Sequence, residues 1–437
     1  MSQAAIGSTI DNALCMLPPG AIAVAFSGGM DSSCLLHALA ANVGVRARGL
    51  RALHVDHGLN ADSAAWATHC QTVAAALGVP ITTLRVAVDR AQGAGIEAAA
   101  RSARMSAFAR ELRVGEIVAL AQHRDDQAET VLLKLLRGAG PEGLAGMREL
   151  REFAPGWLWR PLLALPRAAL QGYARTAQIA WIEDPSNSQT HLQRNFLRAE
   201  ILPRLRARWP DIDQPLAHSA NWLRAAADFI DAQAQIALGS LQGLDPHTLN
   251  WRGWLALPDA LRDPVLRLWL RGLRLDEPAH VHVAELERQL RDARADRLPC
   301  IAFARTELRR YRDLLYALRP CAALPADWQV LWDGSAPLPL PGGGSLRVEP
   351  AQMFASPLRV SGRRGGERVK PAGKPHSREL RLLLQEIGVP PWVRATLPLV
   401  HGDELLAVAD LILGDAGEAF CRAASLRFVW TPASPAD

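Results

Sequence analysis

The chain has 437 residues, enough for about three domains of ordinary size. Apolar residues make up 49% and charged residues 21%, the balance of a globular protein rather than a disordered one. Net charge is +5, and no uncharged apolar run reaches the ~20 residues of a membrane helix, which excludes a helical spanning protein.

No basic residue precedes Arg46, so a secretory signal is not expected. Ala21–Phe26 is a short apolar run rich in strand formers, and a helical pattern follows from Ser33. Leu50–Val55 reads as a second strand, followed by a helix over Ala61–Leu77. Ile81–Val88 and Glu116–Ala121 read as the third and fourth strands, beside helices over Ile96–Leu112 and Asp126–Arg137. Strands alternating with helices predict βαβ units, and hence an α/β fold with a doubly wound parallel sheet. Ligands of such sheets bind outside the carboxyl ends of the strands.

From about Asp211 to Leu318 the pattern is Ala, Leu and Arg at helical spacing, which predicts a helical domain with Trp222, Trp251, Trp254 and Trp269 in its core. A Pro/Gly-rich passage from Pro320 to Gly344 reads as a linker. Short strand-like pieces at Leu358–Val360, Leu406–Ala409 and Leu426–Trp430 predict a small α+β module at the end. The expected domains are therefore 1–210, 211–320 and 346–437, with 321–345 as the linker. The six cysteines are far apart and form no C-x-x-C pair, which excludes a zinc ribbon or a disulfide framework and fits a reduced, cytoplasmic protein.

Lysine occurs only at Lys134, Lys370 and Lys374, so 46 of the 49 basic residues are arginine. Seven basic residues against Glu367 and Glu379 give Ser361–Arg381 a charge of +5, equal to the excess of the whole chain. A concentrated positive segment is the footprint of a polyanion partner, and equally the signature of a solvated loop.

Three motifs stand at the carboxyl ends of the expected strands. Ser27-Gly28-Gly29-Met30-Asp31-Ser32 joins the first strand to the first helix. Adjacent glycines let backbone approach a ligand, and Ser27, Ser32 and the free helix N–H groups donate to phosphate oxygens. Asp31 would repel phosphates unless it holds a Mg²⁺ ion that bridges to them; the alternative is an N-capped tight turn. The second motif is His54-Val55-Asp56-His57-Gly58-Leu59. Its spacing lacks a third zinc ligand, which leaves a nucleotide contact or a plain polar cap.

The third motif is Gln122-His123-Arg124-Asp125-Asp126-Gln127-Ala128-Glu129. Asp126 and Glu129 have capping-box spacing, but that explains neither His123 nor the adjacent aspartates, whose repulsion needs a cation nearby. Gly138–Gly143 matches G-x-G-x-x-G but follows a helix rather than a strand, so it fails the dinucleotide context.

Together with Glu97–Phe108, His123–Met147, Trp181–Pro203, Arg364–Arg368 and Pro390–Arg394, these motifs resemble the PP-loop ATP pyrophosphatase superfamily, and within it the tRNA(Ile)-lysidine synthetase family. The resemblance spans nearly the whole chain. Asn60 departs from the arginine of many relatives, and arginines replace the lysines often seen around Arg378–Leu384.

The resemblance implies a PP-loop catalytic domain over 1–210 and tRNA-binding domains after it. The implied reaction joins lysine to C2 of the wobble cytidine of a CAU anticodon through an adenylated base, changing its reading from AUG to AUA. It also implies ATP and Mg²⁺ as cofactors, isoleucine tRNA and free L-lysine as partners, and leaves a homodimer open. The expected nucleotide-binding residues are Ser27, Gly28, Gly29, Met30, Asp31, Ser32 and His57. Asp31 and Asp126 are the expected metal contacts, and Asp31, His123, Asp126 and Glu129 the expected catalytic groups. Arg194, Arg198, Arg204, Arg206, Arg208, Arg363, Arg364, Arg368, Lys370 and Lys374 are expected on tRNA phosphates. The competing readings are a PP-loop tRNA thiolase, which needs paired cysteines, and a basic RNA-binding protein with a decayed nucleotide loop.

Overall fold

The computed structural model describes residues 3–58, 62–87, 96–184, 192–293 and 297–433. Leu59, Asn60, Val88 and positions 185–191 of the Trp181–Pro203 segment lie outside them. The chain divides into two compact units, 1–229 and 230–437.

In the first unit, α1 (Gln3–Leu14) precedes β1 (Ile22–Ala25), α2 (Met30–Ala41), α3 (Val43–Arg48) and β2 (Leu50–Asp56). Next come α4 (Ser63–Ala76), β3 (Ile81–Arg85), α5 (Ile96–Glu111), β4 (Ile117–Ala119), α6 (Arg124–Leu135) and α7 (Pro141–Leu144). A hairpin of β5 (Leu150–Phe153) and β6 (Gly156–Trp159) follows, then α8 (Arg167–Thr176). The unit continues through α9 (Gln193–Phe196), a wider π-helical turn over Leu197–Ile201, and α10 (Leu202–Arg208). α11 (Asp213–Leu241) runs on into the second unit.

The sheet order is β3-β2-β1-β4-β6-β5. All pairs are parallel except β5 with β6. The four strands read from sequence are the first four here, and the order reverses between β1 and β4. That reversal opens a crevice where the loops after these two strands meet. β1 shows why its run is uniformly apolar: Ile22, Ala23 and Val24 are all fully buried, because helices cover both faces. α2 is likewise buried nearly all round, from Met30 through Ala40, which fixes the loop ahead of it against a rigid element.

The second unit is not purely helical. α12 (Trp251–Ala256), α13 (Asp259–Gly272) and α14 (His280–Asp292) are joined by β7 (Thr248–Asn250), β8 (Cys300–Phe303), β9 (Thr306–Tyr311) and β10 (Leu314–Leu318). These strands form an antiparallel sheet in the order β7-β10-β9-β8. β9 alternates buried and half-exposed residues at period two, a strand pattern concealed by its arginines. Trp251, Trp254 and Trp269 are buried here, but Trp222 stands 80% exposed on α11.

The supposed linker is built into the last module. β11 (Gln329–Trp332), β12 (Leu338–Pro339) and β13 (Ser345–Glu349) occupy it or border it, and Leu324, Trp332 and Leu340 are buried. Its prolines and glycines make the turns between short strands instead of a free tether. β14 (Leu358–Ser361), β15 (Arg368–Val369), β16 (Arg378–Glu379), β17 (Leu399–His401), β18 (Leu405–Val408), β19 (Ile412–Leu413) and β20 (Arg427–Thr431) complete the strands. α15 (Leu380–Glu386), α16 (Pro391–Arg394) and α17 (Asp415–Ala424) complete the helices. The sheets run β11-β14-β17-β18-β19 and β12-β13-β20, as an α+β module should. Among the described residues no helix is long and apolar enough to cross a membrane.

Candidate active site

The Ser27–Ser32 loop is a tight, internally bonded turn. Ser32 Oγ donates to the Gly29 carbonyl (2.9 Å) and lies 3.1 Å from Ser27 Oγ, while the Ser27 N–H donates to Ser32 Oγ (3.3 Å). Gly28 holds φ +83°, and a Cβ there would come within 3.0 Å of Cys70 Sγ and Ile182 Cδ1. A side chain at this position is therefore strained and crowded, so the second residue of the loop must be glycine. Gly29 precedes α2 in extended conformation, and no side chain caps the helix. The N–H groups of Met30, Asp31 and Ser32 are thus left for an anion at the positive end of the helix dipole.

His123 leads the loop after β4 into this site. It is 1% exposed, and its Nε2 lies 3.7 Å from Asp31 Oδ2 and 3.4 Å from Asp126 Oδ2. Its Nδ1 accepts the Asp126 N–H, and Asp126 Oδ2 accepts the His123 N–H. The capping box of α6 is therefore His123 with Asp126, not Asp126 with Glu129. Burial opposes charge on the His123 imidazole, but Asp31, Asp126 and Asp125 outweigh it and raise its pKa. Burial also opposes charge on Asp31; here His123, Arg167 and Arg198 prevail and hold the carboxyl below its usual value.

Guanidinium groups offset the clustered carboxylates. Arg198, in the π-helical turn, donates from Nε to Glu129 Oε1 (2.6 Å) and from Nη2 to Glu129 Oε2 and Asp126 Oδ1 (3.0 Å each). Arg194 Nε lies 3.1 Å from Glu129 Oε2. Asp125 accepts from Arg206 Nη2 (2.6 Å) and from the backbone N–H of Arg167 (2.8 Å). The cation that makes adjacent Asp125 and Asp126 tolerable is arginine on each. Glu129 is 1% exposed, and burial, the largest influence, raises its pKa despite both arginines.

The second motif sits at the end of β2, next to β1 in the sheet. His54 is buried with Nδ1 3.0 Å from the Phe26 carbonyl, a structural role. His57 accepts from Arg104 Nε at 3.4 Å, and its buried Nδ1 has no partner among the described residues. Burial, then Arg104, lowers its pKa. Gly140 caps the short α7 after α6, so the G-x-G-x-x-G match follows a helix and not a strand.

Donor chemistry at Asp31 fits a Mg²⁺ ion. Asp31 Oδ1 is buried without a hydrogen-bond partner, and Mg²⁺ takes one or two carboxylates plus phosphate oxygens rather than a full protein cage. No group of three or more His, Cys, Asp or Glu suited to a metal occurs among the described residues. Asp126 gives one lone pair of Oδ1 to Arg198 and one of Oδ2 to the cap, so it would reach the same ion through the remaining lone pairs.

Sequence reasoning did not single out Arg167, Arg104 or His69. Arg167 Nε lies 3.7 Å from Asp31 Oδ1, and the His69 ring would be 3.6 Å from a Cβ on Gly28, with its Nε2 buried and unpartnered. Arg104 lies within the Glu97–Phe108 segment, while Arg167 and His69 stand outside every motif read from the sequence.

The expected phosphate-binding arginines fall into two groups. Arg194, Arg198 and Arg206 are engaged with Glu129, Asp126, Asp125 and Asp213. Arg204 pairs with Glu200 one turn away, and Arg208 stacks on the half-exposed ring of Trp209. In the second unit Arg363 pairs with Glu367 and Lys370 with Asp415. Arg364, Arg368 and Lys374 are exposed, the first two donating to the Ala326 and Ser377 carbonyls.

Family models match all of these regions. A PP-loop domain covers residues 3–205, a TilS substrate binding domain 249–316, and a TilS substrate C-terminal domain 358–430. The tRNA(Ile)-lysidine synthase of Xanthomonas axonopodis pv. citri is 47% identical over 426 residues, covering 96% of each chain. The chain belongs to the tRNA(Ile)-lysidine synthase family. The Xylella fastidiosa (strain Temecula1) enzyme of that name is 44% identical over 94% of each chain, and that of Pseudomonas aeruginosa 44% over 90% of each. Among solved structures, the U34-tRNA thiolase NcsA of Methanococcus maripaludis aligns at TM-score 0.42 and 14% identity, covering 50% of this chain and 77% of that one. The sequence match to the lysidine synthases thus includes the phosphate loop, the His123–Glu129 segment and both later modules.

Proposed function

We propose that this chain carries out its family's reaction, the ATP-dependent ligation of lysine to C2 of the wobble cytidine in the CAU anticodon of isoleucine tRNA. One observation carries the reading: a single buried imidazole, His123, links the phosphate loop at Asp31 to the carboxylate–arginine cluster at Asp126. A nucleotide site and an amino-acid site therefore share a wall.

In the first step O2 of the cytidine attacks the α-phosphorus of ATP, the bond to the β-phosphate oxygen breaks, and pyrophosphate leaves. Negative charge grows on the departing pyrophosphate. The uncapped N–H groups of α2, the backbone of Gly28 and Gly29, and the Ser27 and Ser32 hydroxyls are placed to receive it. A Mg²⁺ ion held by Asp31 would neutralise phosphate charge there. The Asp31 carboxyl, kept below its usual pKa, is ionised throughout the neutral range. His57, with an unpartnered buried nitrogen, is a further polar contact for the nucleotide.

In the second step the lysine ε-amine attacks C2. The C2–O bond breaks, AMP carries that oxygen away, and the amine gives up a proton. Lysine arrives with an ammonium of pKa ~10.4 and a carboxylate. A mixed cluster of Asp126 and Glu129 with Arg194 and Arg198 has matching charges for both ends. Asp126, 16% exposed, is the carboxylate within reach of the amine; Glu129 acts by holding the two arginines. Exposed Arg204, Arg208, Arg364, Arg368 and Lys374 are the cations free to meet tRNA phosphates, with Arg206, Arg363 and Lys370 behind them in ion pairs. Such an enzyme works in the cytoplasm, where its tRNA is found.

The thiolase reading is weaker. All six cysteines are free, and burial pushes the Cys34 and Cys70 thiols, on the helices around the loop, up to about 12. Sulfur chemistry needs thiolates instead. To test the reading, purified chain is incubated with α-labelled ATP and the CAU transcript without lysine. Label on the tRNA, chased off as AMP by added lysine, is expected; a tRNA that never carries label would refute the adenylation step.

A further inference from the structure

Arg167 opens α8 immediately after Pro166, on an element outside all three motifs. Its backbone N–H is fixed by Asp125 Oδ1 at 2.8 Å, and Asp125 is in turn held by Arg206 at 2.6 Å. The side chain therefore leaves from a rigid point. It reaches back to the phosphate loop, where Nε comes within 3.7 Å of Asp31 Oδ1 without forming a hydrogen bond.

Both of these atoms are buried and have no hydrogen-bond partner among the described residues. A donor and an acceptor of opposite charge that face each other unbonded are costly, unless something enters to satisfy both. The side chain as a whole stays 39% exposed, so it is not sealed from a ligand. Arg198 and Arg206 already donate to Glu129, Asp126, Asp125 or Asp213, and Arg194 donates from Nη2 to Thr130 Oγ1 while its Nε forms an ion pair with Glu129. Among the described residues, the Arg167 side chain makes only the open contact with Asp31.

We propose that Arg167 is a substrate-binding residue whose guanidinium grips the β- and γ-phosphates of ATP, and so the pyrophosphate that departs. Arginine suits this because its planar fork matches phosphate oxygens and stays charged at every working pH. Asp31 then directs its free oxygen to a cation on the same phosphates, which resolves both unpartnered atoms together. The assignment rests on the adenylation reading above.

The test titrates pyrophosphate with Mg²⁺ into the full-length chain by calorimetry, for wild type, Arg167→Ala and Arg167→Lys. A charge-assisted contact of this kind predicts a ten- to hundredfold weaker pyrophosphate affinity in Arg167→Ala. Partial recovery is expected in Arg167→Lys, with tRNA affinity unchanged in both. Affinity within twofold of wild type in both variants would overturn the assignment. So would a fall in tRNA affinity with pyrophosphate binding intact, since Arg167 would then belong to the RNA. Should wild-type chain transfer no adenylate to tRNA yet show the pyrophosphate effect, the function fails and the phosphate contact stands.

Discussion

Replacing Arg198 with alanine separates two roles for this residue. Read as a phosphate contact, Arg198 is an outward cation whose loss lowers the salt slope of tRNA binding by about 1 and leaves the fold intact. Read from the structure, it makes three charge-assisted hydrogen bonds to Glu129 and Asp126, and Glu129 is 1% exposed. Removing one partner of a buried ion pair costs about 3–5 kcal/mol, because the other charge is left without compensation. Arg194 still lies 3.1 Å from Glu129, and the Arg198 side chain is 34% exposed. Solvent screening and the remaining arginine reduce the expected loss to about 2–3 kcal/mol. For the first unit of 229 residues this lowers the melting temperature by about 4–12 °C. A double-mutant cycle with Glu129→Gln reads the coupling: the double variant should be more stable than the sum of the single losses. Strict additivity, or an unchanged melting temperature with a reduced salt slope, would refute the buried network and restore the phosphate role.

Asp31→Asn keeps the shape of the loop but removes its charge; ATP turnover should fall at least a hundredfold at unchanged tRNA affinity, and near-normal adenylate transfer would remove Asp31 from the site. Gly28→Ala meets a φ of +83° and two neighbours at 3.0 Å, so about 1–3 kcal/mol of strain and a clear loss of ATP affinity are expected in a binding titration. His123→Asn removes the ring whose Nε2 faces Asp31 and Asp126. Because the folded-state pKa of His123 is raised, its stabilisation is complete below about pH 6.5 and is lost as pH rises through the folded value. The variant's melting deficit should therefore be larger at pH 5.5 than at pH 9, and the opposite trend would contradict the sign. Replacing Arg363 and Arg364 together should weaken tRNA binding and flatten its salt dependence; an unchanged slope would take this turn out of the interface.

The nucleotide end of the site was legible because its chemistry is local. A strand, two glycines and a helix start are consecutive residues, and β1, β2, β3 and β4 follow the apolar runs read from sequence. The turn after β4 was legible for the same reason, although its cap proved to be His123. What sequence concealed was tertiary. Arg194 and Arg198 lie more than sixty residues from Glu129, and nothing in their spacing distinguishes a buried partner from a phosphate contact. Arg167 reaches Asp31 through the packing of α8, a distance no motif spans. Leu358–Val360, Leu406–Ala409 and Leu426–Trp430 were read and appear as β14, β18 and β20. β7 to β13 were missed because arginines and leucines at mixed spacing obscure the period-two alternation of β9, and because prolines and glycines between short strands resemble a tether. Trp222 was assigned to a core that lies further along the chain, whereas its own position on α11 faces outward.

The most direct measurement supplies the purified chain with ATP, labelled lysine and an isoleucine transcript bearing CAU, beside a transcript with uridine at the wobble position. The account predicts label that remains on the cytidine transcript after mild alkali, with one AMP and one pyrophosphate released per lysine joined. Label that alkali removes, or that appears equally on the uridine transcript, would contradict it.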